Sequence, residues 1–197
     1  MKKKALLIDW ENFKYKIKTI LKENKKPINY SNINYQKLFQ TLFPESTFDE
    51  KICFMARLKK HEKFPEKSLE LIESQRFLKM YLEKQGFEVV MCGVVRAHET
   101  DEGTVFKEKG VDVYMAVDIV KKSFSHNYSD IVVVSSDSDM NPAIKEAQNQ
   151  KTKITYVGFQ KLSNKGIMYN SDQSILIRDN EILENIQQEP LHIKIKK

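Results

Sequence analysis

Two aspartates stand two positions apart just after the most apolar run in the chain. The run is 131–134, Ser135 and Ser136 follow it, and the acids are Asp137 and Asp139. Four β-branched residues in succession predict a strand that is buried on both faces, which is typical of parallel sheets. The aspartates then lie in the loop at the carboxyl end of that strand, where open α/β sheets bind ligands. Two carboxylates this close repel each other unless a cation or a proton lies between them.

Two further aspartates can reach the same edge of a sheet. Asp9 directly follows a second short apolar run, and Asp112 opens a predicted helix before the 131–134 strand. The carboxyl ends of neighbouring parallel strands converge. We therefore expect Asp9, Asp112 and Asp137 to bind a Mg²⁺ or Mn²⁺ ion, because hard cations prefer oxygen ligands. We place Asp139 next to them as a further catalytic acid. Carboxylates around a hydrated cation are suited to phosphodiester hydrolysis.

Polar residues around these acids are candidates for binding substrate or positioning carboxylates. Asn12 lies one helical turn after Asp9, and we expect its amide to hold a water molecule or a phosphate oxygen. Three serines could either bind a phosphate or orient the acids, and a lysine before the 111–124 helix could contact a substrate phosphate. These residues are Ser135, Ser136, Ser138 and Lys109.

Each of these acids also has a purely structural interpretation. An aspartate that follows a strand is commonly the N-cap of the next helix, which applies to Asp9, Asp137 and Asp139 taken singly. The helix dipole favours an acid at the position of Asp112. Trp10 could stack on a base or pack in the core. The convergence of several acids favours a functional site, because clusters of like charge mark such sites.

Composition is that of a single globular domain. The chain has 197 residues and a net charge of +6, from 33 Lys and Arg against 27 acidic residues. A basic surface around an acidic site suits a polyanionic substrate. Cys53 and Cys92 fall in predicted strands, where we expect core packing in a reducing cytoplasm. The apolar run at the N-terminus is too short for a signal peptide, and we expect no membrane span.

Strands and helices are predicted to alternate along the chain. The strands are predicted at 5–8, 51–58, 87–95, 131–134, 154–158 and 174–177. The helices are predicted from Phe13 onwards and at 35–43, 66–85, 111–124 and 142–150, with Asn141 as N-cap and Pro142 at the first position of the last one. The stretch 98–110 is predicted to be a loop or a hairpin. This order predicts an α/β fold with a Rossmann-like, mostly parallel sheet and helices on both faces, over residues 1–180. Residues 181–197 are predicted to be a basic tail.

The helical wheel of residues 111–124 predicts where Asp112 and Asp118 point. Val113, Val117, Val120 and Phe124 recur at helical spacing, and we interpret them as its core stripe. On this wheel Asp112 flanks the stripe and can reach the edge of the sheet. Asp118 lies nearly opposite the stripe and should face solvent, so we leave it out of the site.

Three segments of this chain resemble the NYN family, in its bacterial LabA-like branch of the PIN-like ribonuclease fold. They are Leu7-Ile8-Asp9-Trp10-Glu11-Asn12, Lys109-Gly110-Val111-Asp112-Val113 and Val133-Val134-Ser135-Ser136-Asp137-Ser138-Asp139. The helix from Gln75 to Gly86 and the strand after it are also similar, so that the resemblance covers about residues 4–160. The chain departs from the family pattern at Ser136 and Ser138, where glycines are common, and at Met140, where an aromatic residue is common.

The resemblance implies a Rossmann-like sheet, an acidic site for Mg²⁺ and a role in RNA processing or decay. It implies that Asp9, Asp112, Asp137 and Asp139 are the acidic residues of the site and that Asn12 is a polar helper. It also implies a role for Asp118, which conflicts with the helical wheel.

The function we expect is a metal-dependent ribonuclease that acts on single-stranded RNA in the cytoplasm. One alternative is an RNA-binding or regulatory adaptor of the same fold that lacks catalysis. An aspartate-based phosphatase or receiver domain fits less well, because Glu11 stands where a haloacid-dehalogenase pattern requires a second aspartate. The sequence leaves the oligomeric state open, and a homodimer is compatible with it.

Overall fold

The computed structural model of the chain describes residues 2–60, 65–100 and 103–187, with the backbone alone at 96–100 and 103–108. The strands are β1 (Lys3–Asp9), β2 (Glu50–Arg57), β3 (Glu88–Thr100), β4 (Gly103–Lys109), β5 (Tyr128–Val134), β6 (Lys153–Phe159) and β7 (Gln173–Ile177). The helices are α1 (Trp10–Glu23), α2 (Tyr35–Leu42), α3 (Pro65–Lys84), α4 (Val111–Phe124), α5 (Asn141–Asn149), α6 (Lys165–Asn170) and α7 (Asp179–Leu183). Short 3₁₀ turns lie at Tyr30–Asn32, Ser138–Met140 and Gln160–Leu162.

The described strands form one sheet in the order β4-β3-β2-β1-β5-β6-β7. Neighbouring strands are parallel except for β4, which pairs antiparallel with β3. The predicted fold class, a mostly parallel α/β sheet, is confirmed. The strand order reverses between β1 and β5, where Ile8 pairs with Val134. This is the switch point at which such sheets bind ligands, and Asp9 and Asp137 follow the two strands there.

Alternating side chains of the strands fill two cores, one on each face of the sheet. Leu6 and Ile8 point to the face covered by α1, α2, α3 and α7, where they join an aromatic cluster around Phe13. Ala5 and Leu7 point to the opposite face, covered by α4, α5 and α6. Both layers fix the strands on which the acids stand, since strands buried on both faces must keep their register.

The core stripe that we predicted for α4 is wrong. Val113, Val117 and Phe124 are 60%, 49% and 52% exposed, and Val120 is only partly buried. The buried face instead carries Val111, Met115, Ile119 and Ser123. Apolar residues surround most of this helix, so the pattern has two stripes at helical spacing, and the sheet selects the one that bears the longer Met and Ile side chains.

The start of α5 also differs from its prediction. Met140 rather than Asn141 is the N-cap residue, and Pro142, predicted at the first helical position, is the second residue of α5. The cause is the 3₁₀ turn Ser138–Met140, which runs directly into α5 and moves the start of the helical backbone upstream. Asn141 instead uses its side-chain oxygen to accept a hydrogen bond from the Asn170 amide at 3.1 Å.

Two further predictions concern the loop or hairpin at residues 98–110 and the tail at residues 181–197. The first stretch belongs to the β3–β4 hairpin, with residues 101–102 outside the described part. The boundary that we set at residue 180 falls inside α7. Ile182 is fully buried and Ile186 forms a bridge with Ile33, so the chain packs against the domain as far as Gln187. Residues 188–197 of the predicted tail lie outside the described residues.

Two smaller expectations concern burial and the membrane. Cys53 and Cys92 are buried, one in each of the two cores, as expected for small core residues. Over the described ranges, no helix combines the length and the apolar character that a membrane span requires.

Candidate acidic site

Three carboxylates meet at the carboxyl edge of the sheet, beside the switch point. Asp112, Asp137 and Asp139 each offer an oxygen atom, and these atoms all lie within 4.8 Å of one another. Asp112 is in the first turn of α4, while the other two belong to the loop and 3₁₀ turn after β5. Acids from distant parts of the sequence therefore approach one another. Asp139, which we placed next to the metal ligands, is in this group, whereas Asp9, which we expected as a ligand, is not. Carboxylate oxygens at this separation form a donor set that fits a hard divalent cation.

The position of Asp112 depends on the turn that joins β4 to α4. Gly110 precedes the helix with φ +91°, a left-handed conformation that glycine adopts readily. Close by, Gly93 in β3 has φ +66°, and a Cβ atom there would lie only 2.6 Å from the carbonyl oxygen of Lys109. The strand and the turn thus approach closely because Gly93 carries no side chain, and this approach places Asp112 beside the end of β5.

Asp9 lies behind the three-carboxylate group and is 6% exposed. Its Oδ1 accepts a hydrogen bond from the backbone N–H of Asn12 at 3.2 Å, and its Oδ2 accepts one from the Ser135 hydroxyl at 3.0 Å. The pKa of Asp9 is raised to about 6, chiefly by burial; the two hydrogen bonds lower it, and the charges of Asp137 and Glu11 add to the rise. Repulsion among these acids is therefore present at neutral pH, and a cation in the cavity would relieve it.

Asp9 and Asp137 are both N-cap residues and also line the acidic cavity. Asp9 is the N-cap of α1, and Asp137 is the N-cap of the 3₁₀ turn, where it accepts a hydrogen bond from the backbone N–H of Asp139 at 3.0 Å. Capping fixes one carboxylate oxygen of each residue. The other oxygen of Asp9 faces Ser135, and Asp137 still contributes an oxygen to the acidic group.

A cavity of about 320 Å³ lies over these acids. Its lining residues come from the end of β1, the start of α1, the turn from β4 into α4 and the loop after β5. They are Asp9, Glu11, Asn12, Lys109, Gly110, Asp112 and Asp137. Glu11 is an acid of this cavity that we did not assign to the site from the sequence. Its spacing from Asp9 was the available signal, since a residue in the first turn of a helix lies close to its N-cap.

The predicted polar residues occupy different positions around the cavity. The Asn12 side-chain oxygen accepts a hydrogen bond from the backbone N–H of Ser136 at 3.1 Å, which ties α1 to the loop after β5. The hydroxyl of Ser136 contacts the Tyr156 hydroxyl at 3.2 Å. Ser138 is exposed at the start of the 3₁₀ turn, and Lys109 is exposed at the cavity wall. The hydroxyls of Ser135 and Ser136 are thus engaged by side chains of the protein.

Asp118 stands well away from these acids, on the same helix as Asp112. Its Oδ2 lies 3.2 Å from Lys122 Nζ, and Lys122 also pairs with Glu50 at 2.9 Å. Glu50 begins β2, so this cluster lies at the amino edge of the sheet, opposite the acidic site. We predicted from the misplaced stripe that Asp118 faces solvent. Its side chain is instead 26% exposed and ion-paired with Lys122. Trp10 is 1% exposed and packs against Phe13 and Tyr35, so it is a core residue.

Comparison with known proteins now identifies the family. The model of the NYN domain matches residues 3–178, which is nearly the whole chain. The chain belongs to the NYN domain family. The members of this family are generally nucleases of PIN-like fold. The three converging acids lie within the matched segment of this NYN domain.

A solved structure supports the fold of this NYN domain. It is the crystal structure of a protein of unknown function from Vibrio parahaemolyticus, with a TM-score of 0.62 and 19% sequence identity. The alignment covers 92% of this chain and 96% of the other. A search of curated proteins found no match.

Proposed function

We propose that this NYN domain is a metal-dependent ribonuclease, which hydrolyses phosphodiester bonds of single-stranded RNA at the acidic site. The observation that carries the proposal is the approach of Asp112, Asp137 and Asp139 within 4.8 Å at the switch-point edge. Three carboxylates gathered at one point repel one another, and such an arrangement costs stability unless it serves a ligand. The nuclease character of the family supports the same conclusion.

The donor set supports Mg²⁺ or Mn²⁺ as the cofactor. Asp112, Asp137 and Asp139 would hold the ion, with Asp9 as a fourth carboxylate on the inner wall of the cavity. When bound, such an ion lowers the pKa of a coordinated water and neutralises charge on phosphoryl oxygens. All these donors are oxygens, which suits a hard cation and does not suit a zinc site built from sulfur and nitrogen.

The remaining residues of the cavity would position the acids and the substrate. Asn12 and Ser135 fix the loop after β5 relative to α1, and thereby set the distance from Asp9 to Asp137. Lys109 is exposed at the wall, where its ammonium group can pair with a substrate phosphate. Ser138, also exposed, is a second candidate for phosphate contact. The net charge of +6 favours the approach of an RNA backbone to this acidic cavity.

Cleavage of a mixed pool of single-stranded RNA, with Mn²⁺, with Mg²⁺ and with EDTA, tests the proposal. We expect cleavage with either metal, none in EDTA, and a loss of at least about 100-fold in Asp137→Asn, since metal-bound carboxylates are central to this chemistry. Asp118→Asn is the matched control, because it removes one carboxylate charge from α4 at the opposite edge of the sheet. Its activity should stay close to that of the wild type.

Two results would overturn the nuclease assignment. One is full activity in Asp137→Asn with unchanged metal dependence. The other is RNA binding that is sensitive to salt without cleavage under any metal, which would instead identify an RNA-binding adaptor of the same fold.

A further inference from the structure

A second, larger cavity adjoins the acidic site on the other side of α1. It has a volume of about 770 Å³ and lies between the start of α1, the segment 28–31 and α3, beyond the ends of β2 and β3. This is within the range of cavities that bind small organic groups. None of the acids of the three-carboxylate group lines it.

The walls of this cavity expose apolar side chains to water. Ile28 and Leu71 are 43% and 39% exposed, and Tyr30 and Phe77 are partly exposed beside them. Trp10 lies in the wall but is almost fully buried, so that it supports the cavity rather than offering a free ring. Exposed apolar and aromatic groups gathered around one concave surface are characteristic of a ligand site.

One side chain holds the rim of the cavity in place. The Gln75 amide nitrogen of α3 donates to the Ala56 carbonyl at 2.8 Å, and its oxygen accepts from the backbone N–H of Leu58 at 3.3 Å. Gln75 therefore pins α3 to the end of β2, and both of its polar groups are used. The cavity is thus formed before any ligand arrives, which reduces the ordering that binding requires.

The two cavities share a wall at the start of α1. Glu11 lines both of them, and it directly follows Asp9 and Trp10, which line the acidic site and the second cavity respectively. Lys14 pairs with Glu11 at 2.5 Å on this shared wall. Lys59 and Lys60 are exposed and directly follow Leu58 of the cavity wall, but neither lines the cavity. Glu73 is the third charged residue of the second cavity, so its charged lining consists of two acids and one ion-paired lysine.

We propose that the second cavity binds a nucleobase of the RNA strand whose backbone crosses the acidic site. This assignment rests on the proposed function, since RNA is the substrate there. A base is flat and apolar on its faces, so it can lie against Tyr30 and Phe77, while Asn29 and Ser74 offer hydrogen-bonding groups at the wall. Because Glu11 lines both cavities, a strand bound at the acidic site can extend into the second one, which favours a base of that strand over a separate apolar peptide.

Equilibrium binding in EDTA tests the assignment without any need for cleavage. Fluorescence anisotropy would compare labelled octaadenylate with an octamer of the same ribose-phosphate backbone that lacks bases. We expect the wild type to bind octaadenylate about 10-fold or more tightly than the abasic strand, as stacking of one base contributes on this scale. Ser74→Trp places an indole in the cavity from an exposed position of α3, and it should reduce this ratio at least about 3-fold.

Met80→Trp is the matched control, because Met80 is an exposed residue of α3 outside the cavity wall. It should keep the wild-type ratio. An unchanged ratio in Ser74→Trp, equal binding of both strands by the wild type, or no binding of RNA in EDTA would each overturn the assignment. Cleavage with Mn²⁺ is measured separately. If Ser74→Trp reduces the preference for octaadenylate over the abasic strand but the protein cleaves no RNA, the base site would be supported and the nuclease function would be excluded.

Discussion

The Ser135 hydroxyl donates a hydrogen bond to Asp9 Oδ2 at 3.0 Å and so joins the ends of the two central strands. The same hydroxyl oxygen accepts a hydrogen bond from the backbone N–H of Asp137 at 3.2 Å. Ser135 is 2% exposed, so neither bond competes with bulk water. One small side chain therefore sets the relative position of two acids that lie far apart in the sequence.

Ser135→Ala should weaken both stability and metal binding. It removes a donor from a buried carboxylate and an acceptor from a buried backbone N–H, for which we expect a loss of about 1–3 kcal/mol in the free energy of unfolding. We also expect Mn²⁺ affinity to fall about 10-fold, as is usual when a partner of a metal-binding carboxylate is lost. Denaturant titration and calorimetry would measure the two effects. Ser136→Ala, which removes a hydroxyl from the same loop that contacts Tyr156, should retain the affinity for Mn²⁺.

Asp9→Asn should gain stability relative to the wild type as the pH rises to neutral, when both proteins are free of metal. Burial raises the pKa of Asp9 to about 6 in the folded state, above the value of about 3.9 in an unfolded chain. The folded state therefore holds a proton that the unfolded state has released, and this stabilisation is lost as pH rises from about 4 through 6. Asparagine has no such titration. The free energy of unfolding of the variant minus that of the wild type should rise by about 2 kcal/mol between pH 4 and pH 7.

Unfolding of both proteins in EDTA, by denaturant at several pH values, measures this difference. Added metal should restore the stability of the wild type at pH 7, because a ligand that binds only the folded state stabilises that state. A difference between the two proteins that does not vary with pH would show that Asp9 titrates as it does in an unfolded chain.

The sequence was sufficient to predict most of the framework. β5 and β1 were predicted because uninterrupted β-branched and apolar runs, ended by polar residues, leave few alternatives to a buried strand. Their position at the switch point followed from the alternation of strands and helices, and so did the meeting of Asp112 with Asp137. What the sequence could not supply is the depth of each acid. Asp9 is enclosed by two hydrogen bonds, whereas Asp139 is exposed within the three-carboxylate group, and both facts depend on side-chain contacts.

The face of α4 was mispredicted because its two stripes are nearly equal in apolar character, and this can be tested. Met115 is fully buried while Val117 is 49% exposed. Met115→Ala should therefore lower the free energy of unfolding by about 2–5 kcal/mol, the usual cost of truncating a large core side chain. Val117→Ala should change it by less than about 0.5 kcal/mol. Denaturant unfolding of the two variants distinguishes them, and a larger loss in Val117→Ala would restore the stripe that we first predicted.

A close backbone contact links the antiparallel edge of the sheet to the acidic site, and Gly93→Ala should disturb it. A Cβ atom at Gly93 would lie 2.6 Å from the Lys109 carbonyl oxygen and 3.0 Å from Val111 Cγ2. The backbone at Gly93 also has φ +66°, a left-handed conformation that residues with a Cβ atom rarely adopt. Relief of the clash must move the turn that carries Asp112. We expect a loss of stability of about 1–3 kcal/mol and a fall of about 10-fold in Mn²⁺ affinity.

Gly110→Ala separates this clash from simple backbone strain. Gly110 has φ +91°, but the nearest atom to a Cβ there is Gly93 Cα at 3.9 Å, which is ordinary contact. This variant should lose about 1–2 kcal/mol from the left-handed conformation alone. Its affinity for Mn²⁺ should stay within about 3-fold of the wild type, since nothing forces Asp112 to move. Equal losses of affinity in the two variants would mean that strain in the turn, rather than the contact with Gly93, controls the position of Asp112.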